Sequence, residues 1–235
     1  MHRCQIHLLV ILVCCAGTIV STGCTDRNRV RKPDFWPFSR HTSDKVPGIP
    51  SPAERIAVLR KLGQKAAWAK PAEQEKISSE LAASFQVEAD PLIRVEIVRA
   101  ISGYPTAAAA SVLDAAVHDS DSDVRLAACE AWGERGGPEA VAKLSEALAS
   151  DVDTDVRLMA AQALGNTGDA GAVAALGQAL EDRDPAMQYL AVRSLRQVTG
   201  EDFGNDVNQW RQYAKGEMPT PSAPVSVADR IRRLF

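Results

Sequence analysis

The sequence predicts an all-α fold, an α-solenoid of about five antiparallel helix pairs, and three observations predict it. First, a unit recurs: Arg94, Arg125 and Arg157 stand 31 and 32 residues apart, and Gln188 follows 31 residues later. Fixed-period self-similarity in this range is the signature of stacked supersecondary units. Second, each unit carries an apolar stripe at i, i+4, i+7 and i+8, which is one face of a buried helix. Third, alanine dominates an apolar content of 46%, with aromatics at only 5%. Alanine has the best helix propensity and lets helices approach closely, so this composition favours helix-on-helix packing over a sheet.

The chain begins with a segment of another kind. Residues 1–23 read as a signal peptide: a short basic start at Arg3, an apolar run from about Ile6 to Val20, then Ser21-Thr22-Gly23-Cys24. A run of roughly fifteen residues falls short of the ~20 that span a bilayer. Small residues ending in Gly-Cys resemble a bacterial lipobox, which implies lipid attachment at Cys24; ordinary secretion and a retained anchor are the alternatives. Residues 24–50 are charged, proline-punctuated and aperiodic, as a flexible tether is. Within them Phe35-Trp36-Pro37-Phe38 is expected to dock on the body or to sit at a membrane interface.

The solenoid is expected over residues 51–215. Ser51-Pro52-Ala53-Glu54 is a helix start, with a capping serine, proline in the first turn and glutamate three residues on. That helix should run to about Leu62 or Trp68, and Pro71 should open another to about Phe85. The stripes follow: Ile93, Ile97, Ala100, Ile101; Val124, Ala128, Ala131, Trp132; Val156, Ala160, Ala163, Leu164; and Met187, Ala191, Ser194, Leu195. Gly103, Gly133 and Gly165 are expected to stop these helices. A partner helix opens in each unit, at Thr106–His118, Pro138–Ala149 and Ala170–Glu181. The Asp-rich turn after it supplies carboxylates to cap the next helix. Thr199 to Gly204 breaks the pattern before a last helix from about Asp206 to Lys215, whose Trp210 and Tyr213 should plug the final groove. Residues 216–235 read as a proline-rich linker and a short amphipathic tail helix, with Val227, Ile231 and Leu234 on one side and Arg230, Arg232 and Arg233 for charge. Docking on the acidic body, anionic lipid or a partner are its three options.

The phrase Asp-x-Asp-Val-Arg-x-x-Ala-Ala-x-Ala-Leu-Gly, fullest at Asp153 to Gly165, resembles the bacterial HEAT repeat, including the phycobilisome-lyase-type variety. The resemblance covers about Glu88 to Lys215 well and Ser51 to Gln86 loosely, and it implies a HEAT/armadillo-like superhelix. It also implies a ladder in which the arginine after valine pairs with an aspartate of a neighbouring turn. Asp90, Arg94, Asp121, Arg125, Asp153 and Arg157 are its candidate members, and Gln188 marks where it stops.

Function is narrowed mainly by what is missing. The formal charge is -3, and between Glu88 and Asp184 eighteen acidic residues face seven basic ones, which argues against a nucleic-acid partner. The sequence offers no His pair with metal-ligand spacing, no phosphate-binding glycine loop and no nucleophile beside a base, so no catalytic residue, metal or cofactor is expected. Cys129 falls on the repeat helix as a packed thiol. Asp151-Val152-Asp153-Thr154-Asp155 opens like a calcium loop, but the sixth and twelfth positions hold Val156 and Gln162 where Gly and Glu are needed.

Helical arithmetic places two columns opposite the buried stripe: Val95, Leu126, Leu158, Tyr189, and Arg99, Glu130, Gln162, Arg193. In HEAT-like stacks this helix lines the concave surface, so the columns form a candidate binding face for a protein or peptide. The alternative is that the leucines and valine only pack on adjacent repeats. The expectation is therefore a non-catalytic, lipid-anchored scaffold in the cell envelope, with a lyase-like or chaperone-like protein acting on a chromophore or other small ligand as the alternative.

Overall fold

A computed structural model describes residues 48–220. The expected signal segment 1–23, Cys24, the tether up to residue 47 with its Phe35–Phe38 cluster, and the tail helix from 226 lie outside the described residues. Among those described there are ten helices and no strand: α1 (Pro52–Lys65), α2 (Pro71–Val87), α3 (Pro91–Ser102), α4 (Ala107–Ala116), α5 (Ser122–Arg135), α6 (Gly137–Ser150), α7 (Thr154–Asn166), α8 (Ala172–Ala179), α9 (Pro185–Thr199) and α10 (Val207–Ala214). None is long and apolar enough to cross a membrane. Odd-numbered helices pack on one another in chain order and form one layer; α2 packs on α4, α6 on α8 and α8 on α10 in the other. The predicted α-solenoid is the fold observed.

Local chemistry explains where the helices start. Asp90, Asp121, Asp153 and Asp184 each accept a hydrogen bond from a first-turn amide of α3, α5, α7 and α9. Such a cap contributes about 1 kcal/mol. Ser51 and Glu54 complete a reciprocal capping box on α1. The apolar stripes are buried as the spacing requires: Ile93, Ile97 and Ile101, then Val124, Ala128 and Trp132, then Val156, Ala160 and Leu164, then Met187, Ala191 and Leu195. Each large member contributes roughly 1.5–3 kcal/mol by leaving water.

Two glycines expected to end helices lie inside them. Gly133 belongs to α5 and Gly165 to α7, each within its last turn. They mark where neighbouring helices touch. A Cβ on Gly133 would stand 2.9 Å from the Cβ and 3.0 Å from the Cα of Ala163 on α7, and one on Gly165 would stand 2.7 Å from the Ser194 Oγ on α9. Gly63 of α1 approaches the Ala100 backbone of α3 in the same way. The repeating Gly of the motif is thus a contact residue, and the facing Ala100, Ala163 and Ser194 keep the seam narrow. Helix termination falls to others, such as Gly200, which ends α9 in the left-handed region at φ 73°.

The arginine ladder exists with different carboxylates. Arg94 grips Asp119 through two bonds of 2.9 and 2.8 Å, and Arg125 grips Asp151 through two of 2.8 and 2.9 Å. Asp90, Asp121 and Asp153 are not the partners, because their carboxylates cap the helices that carry the arginines. The pairing acids stand two residues earlier in the same turns, and each also accepts an amide N–H, from Asp121 and Asp153 respectively. Glu88 occupies the equivalent place upstream and pairs with Arg55, adding a rung the motif did not announce. Arg157 donates to the Asp151 carbonyl and to Thr154, with no carboxylate partner among the described residues, so the ladder stops there and not at Gln188. Gln188 keeps the local bond, to the Asp182 carbonyl at 2.7 Å.

The ends of the stack differ. At the C-terminal end Trp210 of α10 is fully buried and donates its Nε1–H to the Gly204 carbonyl at 3.0 Å. Phe203 meets it edge-on at 4.9 Å, with Tyr213 5.4 Å from Phe203. At the N-terminal end Val58, Leu59 and Leu62 of α1 face Ile77 and Leu81 of α2 across an open cleft of about 370 Å³.

Candidate functional site

The odd-numbered layer carries the eight residues of the candidate face, and the structure divides them. Arg99, Glu130 and Arg193 are exposed, Gln162 is half-buried, and Tyr189 is 60% exposed. Val95 is buried, and Leu126 and Leu158 are half-buried and packed against the core. Helical spacing alone describes each helix as an isolated cylinder. Because the Gly–Ala seams draw the helices together, residues one step beside the stripe are covered by the adjacent helix. What remains for a ligand is the polar column with Tyr189 at its C-terminal end.

Shallow grooves run between these helices. Arg60, Gln64, Glu96 and Arg99 flank one of about 310 Å³ between α1 and α3. Arg99, Ser102, Glu130 and Glu134 flank the next, of about 230 Å³ between α3 and α5. Glu96 organises the first. It is 7% exposed, accepts bonds of 3.1 and 2.8 Å from Arg60, and lies 3.6 Å from Arg99. The Arg60 hydrogen bond holds its carboxyl below the usual glutamate range against the opposing effect of burial. Both arginines are thereby fixed at the groove while their side chains stay 65% and 56% exposed. Sequence reasoning missed Arg60 and Glu96. The available signal was register: Glu96 stands where later units place Ala127, Met159 and Leu190, a charge in an otherwise apolar position.

Potential chemistry elsewhere is committed to structure. Cys129 is fully buried, and burial pushes its thiol up to about 12, leaving no thiolate at neutral pH. In the aspartate run, Asp151 holds Arg125 and the Asp153 amide, and Asp153 caps α7. No group of three His, Cys, Asp or Glu side chains positioned to hold a metal occurs among the described residues. The N-terminal cleft is a largely apolar concavity, floored by Leu81, Ile93 and Ile97 and rimmed by Glu54, Arg55 and Glu80.

The family profile of HEAT repeats matches residues 78–165 and 142–206. Among solved structures, human deoxyhypusine hydroxylase in complex with glycerol is 24% identical, with a TM-score of 0.48 over 53% of this chain and 44% of that one. The match therefore spans less than half of that enzyme. A designed armadillo repeat protein in complex with the peptide (KR)4 is 21% identical, with a TM-score of 0.47 over 72% of this chain and 84% of that one. A second designed armadillo repeat protein is 18% identical, with a TM-score of 0.44 over 79% and 93% of the two chains. No curated protein matches the sequence.

Proposed function

The chain belongs to the HEAT-repeat family, and from that premise we propose that it is a non-catalytic scaffold that binds a protein or peptide across its odd-numbered helices. The observation that carries this reading is the exposed row Arg99, Glu130, Arg193 with Tyr189 beside it. Each row member sits on a different helix, and neighbouring helices in such layers lie about 8–10 Å apart. A partner running along the row meets Arg99, Glu130, the half-buried Gln162 and Arg193 in turn, a positive, negative, neutral and positive series that selects by charge order. Narrow seams keep that spacing fixed, so little ordering cost falls on the scaffold when a partner arrives.

The proposal extends to location: lipid attachment at Cys24 would tether the scaffold in the cell envelope, on the strength of the apolar segment and the Gly23-Cys24 ending. Capture with the full chain, compared with a Glu130→Arg, Tyr189→Ala, Arg193→Glu variant, tests the binding face. These side chains are exposed, so the fold should survive. A specific partner should lose at least about tenfold in affinity, or 1.4 kcal/mol. Equal capture by both proteins would overturn the face. Labelled palmitate should enter the wild type and not Cys24→Ala; its absence from both would remove the lipid anchor.

One observation supports a second reading. The N-terminal cleft is apolar, has a few polar groups at its rim, and has the size of a small-ligand site. A chaperone-like role towards a small apolar ligand or chromophore would use it. An unchanged melting temperature and an unchanged chromophore spectrum on titration would dismiss that role.

A further inference from the structure

The charged column on the odd-numbered layer extends one unit further than Arg99. Gly63 of α1 meets the Ala100 backbone of α3 as Gly133 of α5 meets Ala163 of α7 and Gly165 of α7 meets Ser194 of α9. These seams fix the register of α1, which lacks the Asp–Val–Arg phrase. Three residues before Gly133 and Gly165 stand Glu130 and Gln162, and three before Gly63 stands Arg60. The column is therefore Arg60, Arg99, Glu130, Gln162 and Arg193, and it opens with two arginines on adjacent helices. On the scaffold reading, which this inference rests on, we propose that the groove between α1 and α3 is the subsite for a carboxylate of the bound partner. The groove between α3 and α5 then takes a lysine or arginine of the same extended segment.

The first groove is built to present guanidinium groups. Glu96 stands where later units place Ala127, Met159 and Leu190, so helix packing alone does not call for a charge there. It holds Nε and Nη2 of Arg60 at 3.1 and 2.8 Å and lies 3.6 Å from Arg99. Arg60 Nη1 has no partner among the described residues, and the Arg99 guanidinium makes no hydrogen bond among them. Two arginines against one carboxylate leave a net charge of +1 around the groove. One incoming carboxylate balances that charge, and the guanidinium fork matches its two oxygens. A phosphate dianion would leave surplus negative charge beside Glu96.

The second groove has the opposite sign. Glu130 and Glu134 are exposed, four residues apart on α5, and neither has an ion-pair partner among the described residues. Like charges at that spacing repel, so a cation between them relieves the repulsion and adds its own attraction. Grooves between successive helices of a layer lie about 8–10 Å apart. A polyproline-II stretch returns its side chains to the same side about every 9.3 Å, once in three residues. The matching segment thus carries its acid and its base about three positions apart.

Blocked peptides containing Glu-Pro-Pro-Lys or the reverse order, titrated into the full chain, test both subsites, with the Nε–Hε signals of Arg60 and Arg99 followed by NMR. One of the two orders should shift both signals to saturation. Glutamine in place of the peptide's glutamate should weaken binding about tenfold, the worth of one charge-assisted contact. Arg99→Ala should erase that preference. A Glu130→Gln, Glu134→Gln variant should keep it and lose the preference for lysine over glutamine in the peptide. All three side chains are exposed, so unchanged melting temperatures should accompany these effects. The assignment is overturned by unshifted signals with both peptides, by equal binding of the glutamate and glutamine forms, or by a preference that survives Arg99→Ala. Tighter binding of a phosphoserine peptide (a phosphate site), or equal binding when the two charges are adjacent, overturns it too. The scaffold reading fails on a different result, equal capture by the Glu130→Arg, Tyr189→Ala, Arg193→Glu variant, and it outlives the loss of the carboxylate subsite.

Discussion

Replacing Gly133 by alanine tests the seam, because two well-known effects act there in opposite directions. In a helix, alanine is favoured over glycine by about 1 kcal/mol, so the substitution should stabilise α5 taken alone. Yet the new methyl would sit 2.9 Å from the Ala163 Cβ and 3.0 Å from both its Cα and its carbonyl oxygen. Carbon atoms pack best at about 3.5–4.0 Å, and the atoms in the way are mostly backbone, which cannot rotate aside. Accommodation requires α5 and α7 to separate by about half an ångström to one ångström along a contact that runs the length of both. Overpacking of this kind costs about 1–3 kcal/mol, so the net effect is a loss of up to about 2 kcal/mol. For a body of this size the apparent melting temperature should fall, by up to about 8 °C, read by far-UV circular dichroism. Ala142→Gly, at an exposed site within α6, supplies the propensity scale in the same protein and should cost about 1 kcal/mol. A rise in melting temperature for Gly133→Ala would refute the reasoning, since it would mean that the seam has room and the glycine is an ordinary helix residue.

Three further outcomes are expected. Arg125→Ala should cost about 2–3 kcal/mol in denaturant unfolding, because it strands Asp151, whose side chain is only 6% exposed; Arg157→Ala should cost about 1 kcal/mol or less, having no carboxylate to strand. Acid should weaken the stack: burial pushes the Asp119 and Asp151 carboxyls up, but hydrogen bonds from Arg94 and Arg125 and from backbone amides outweigh it and hold both below their ordinary 3.8. Their stabilisation is complete above that ordinary value and is lost as pH falls through the lower folded one, so melting temperature should drop below about pH 4, and less steeply in Asp151→Asn. Trp210→Ala should cost about 3–5 kcal/mol by emptying the plug at the C-terminal end, seen as an earlier transition for α9 and α10 in hydrogen exchange.

Much of the fold was legible because repetition multiplies weak signals. A single Asp before an apolar stripe means little, but Asp90, Asp121, Asp153 and Asp184 at one spacing identify four caps, and all four are used as such. What eluded the sequence depended on distances between units. Gly133 and Gly165 look like stops when a helix is read alone and like contacts only when its neighbour is in place. The acids that hold Arg94 and Arg125 sit in the next turn, where two aspartates compete and only geometry decides which faces the guanidinium. Val95 shows the same limit at the candidate site: its helical angle is that of Tyr189, but α3 lies inside the stack while Tyr189 stands near its end. The charged column survived because long polar side chains reach past the seam to water.

The interrupted ladder braces the stack unevenly. Three clamps in a row, from Arg55 to Asp151, tie the turns of the first four units together, and then the clamping ends with Arg157 short of Asp182. The joint before α9 is held by the seam at Gly165 and Ser194 without that brace. On the proposed binding face, a ligand would meet Arg99 and Glu130 on helices whose turns are clamped, and Arg193 on one whose turn is not.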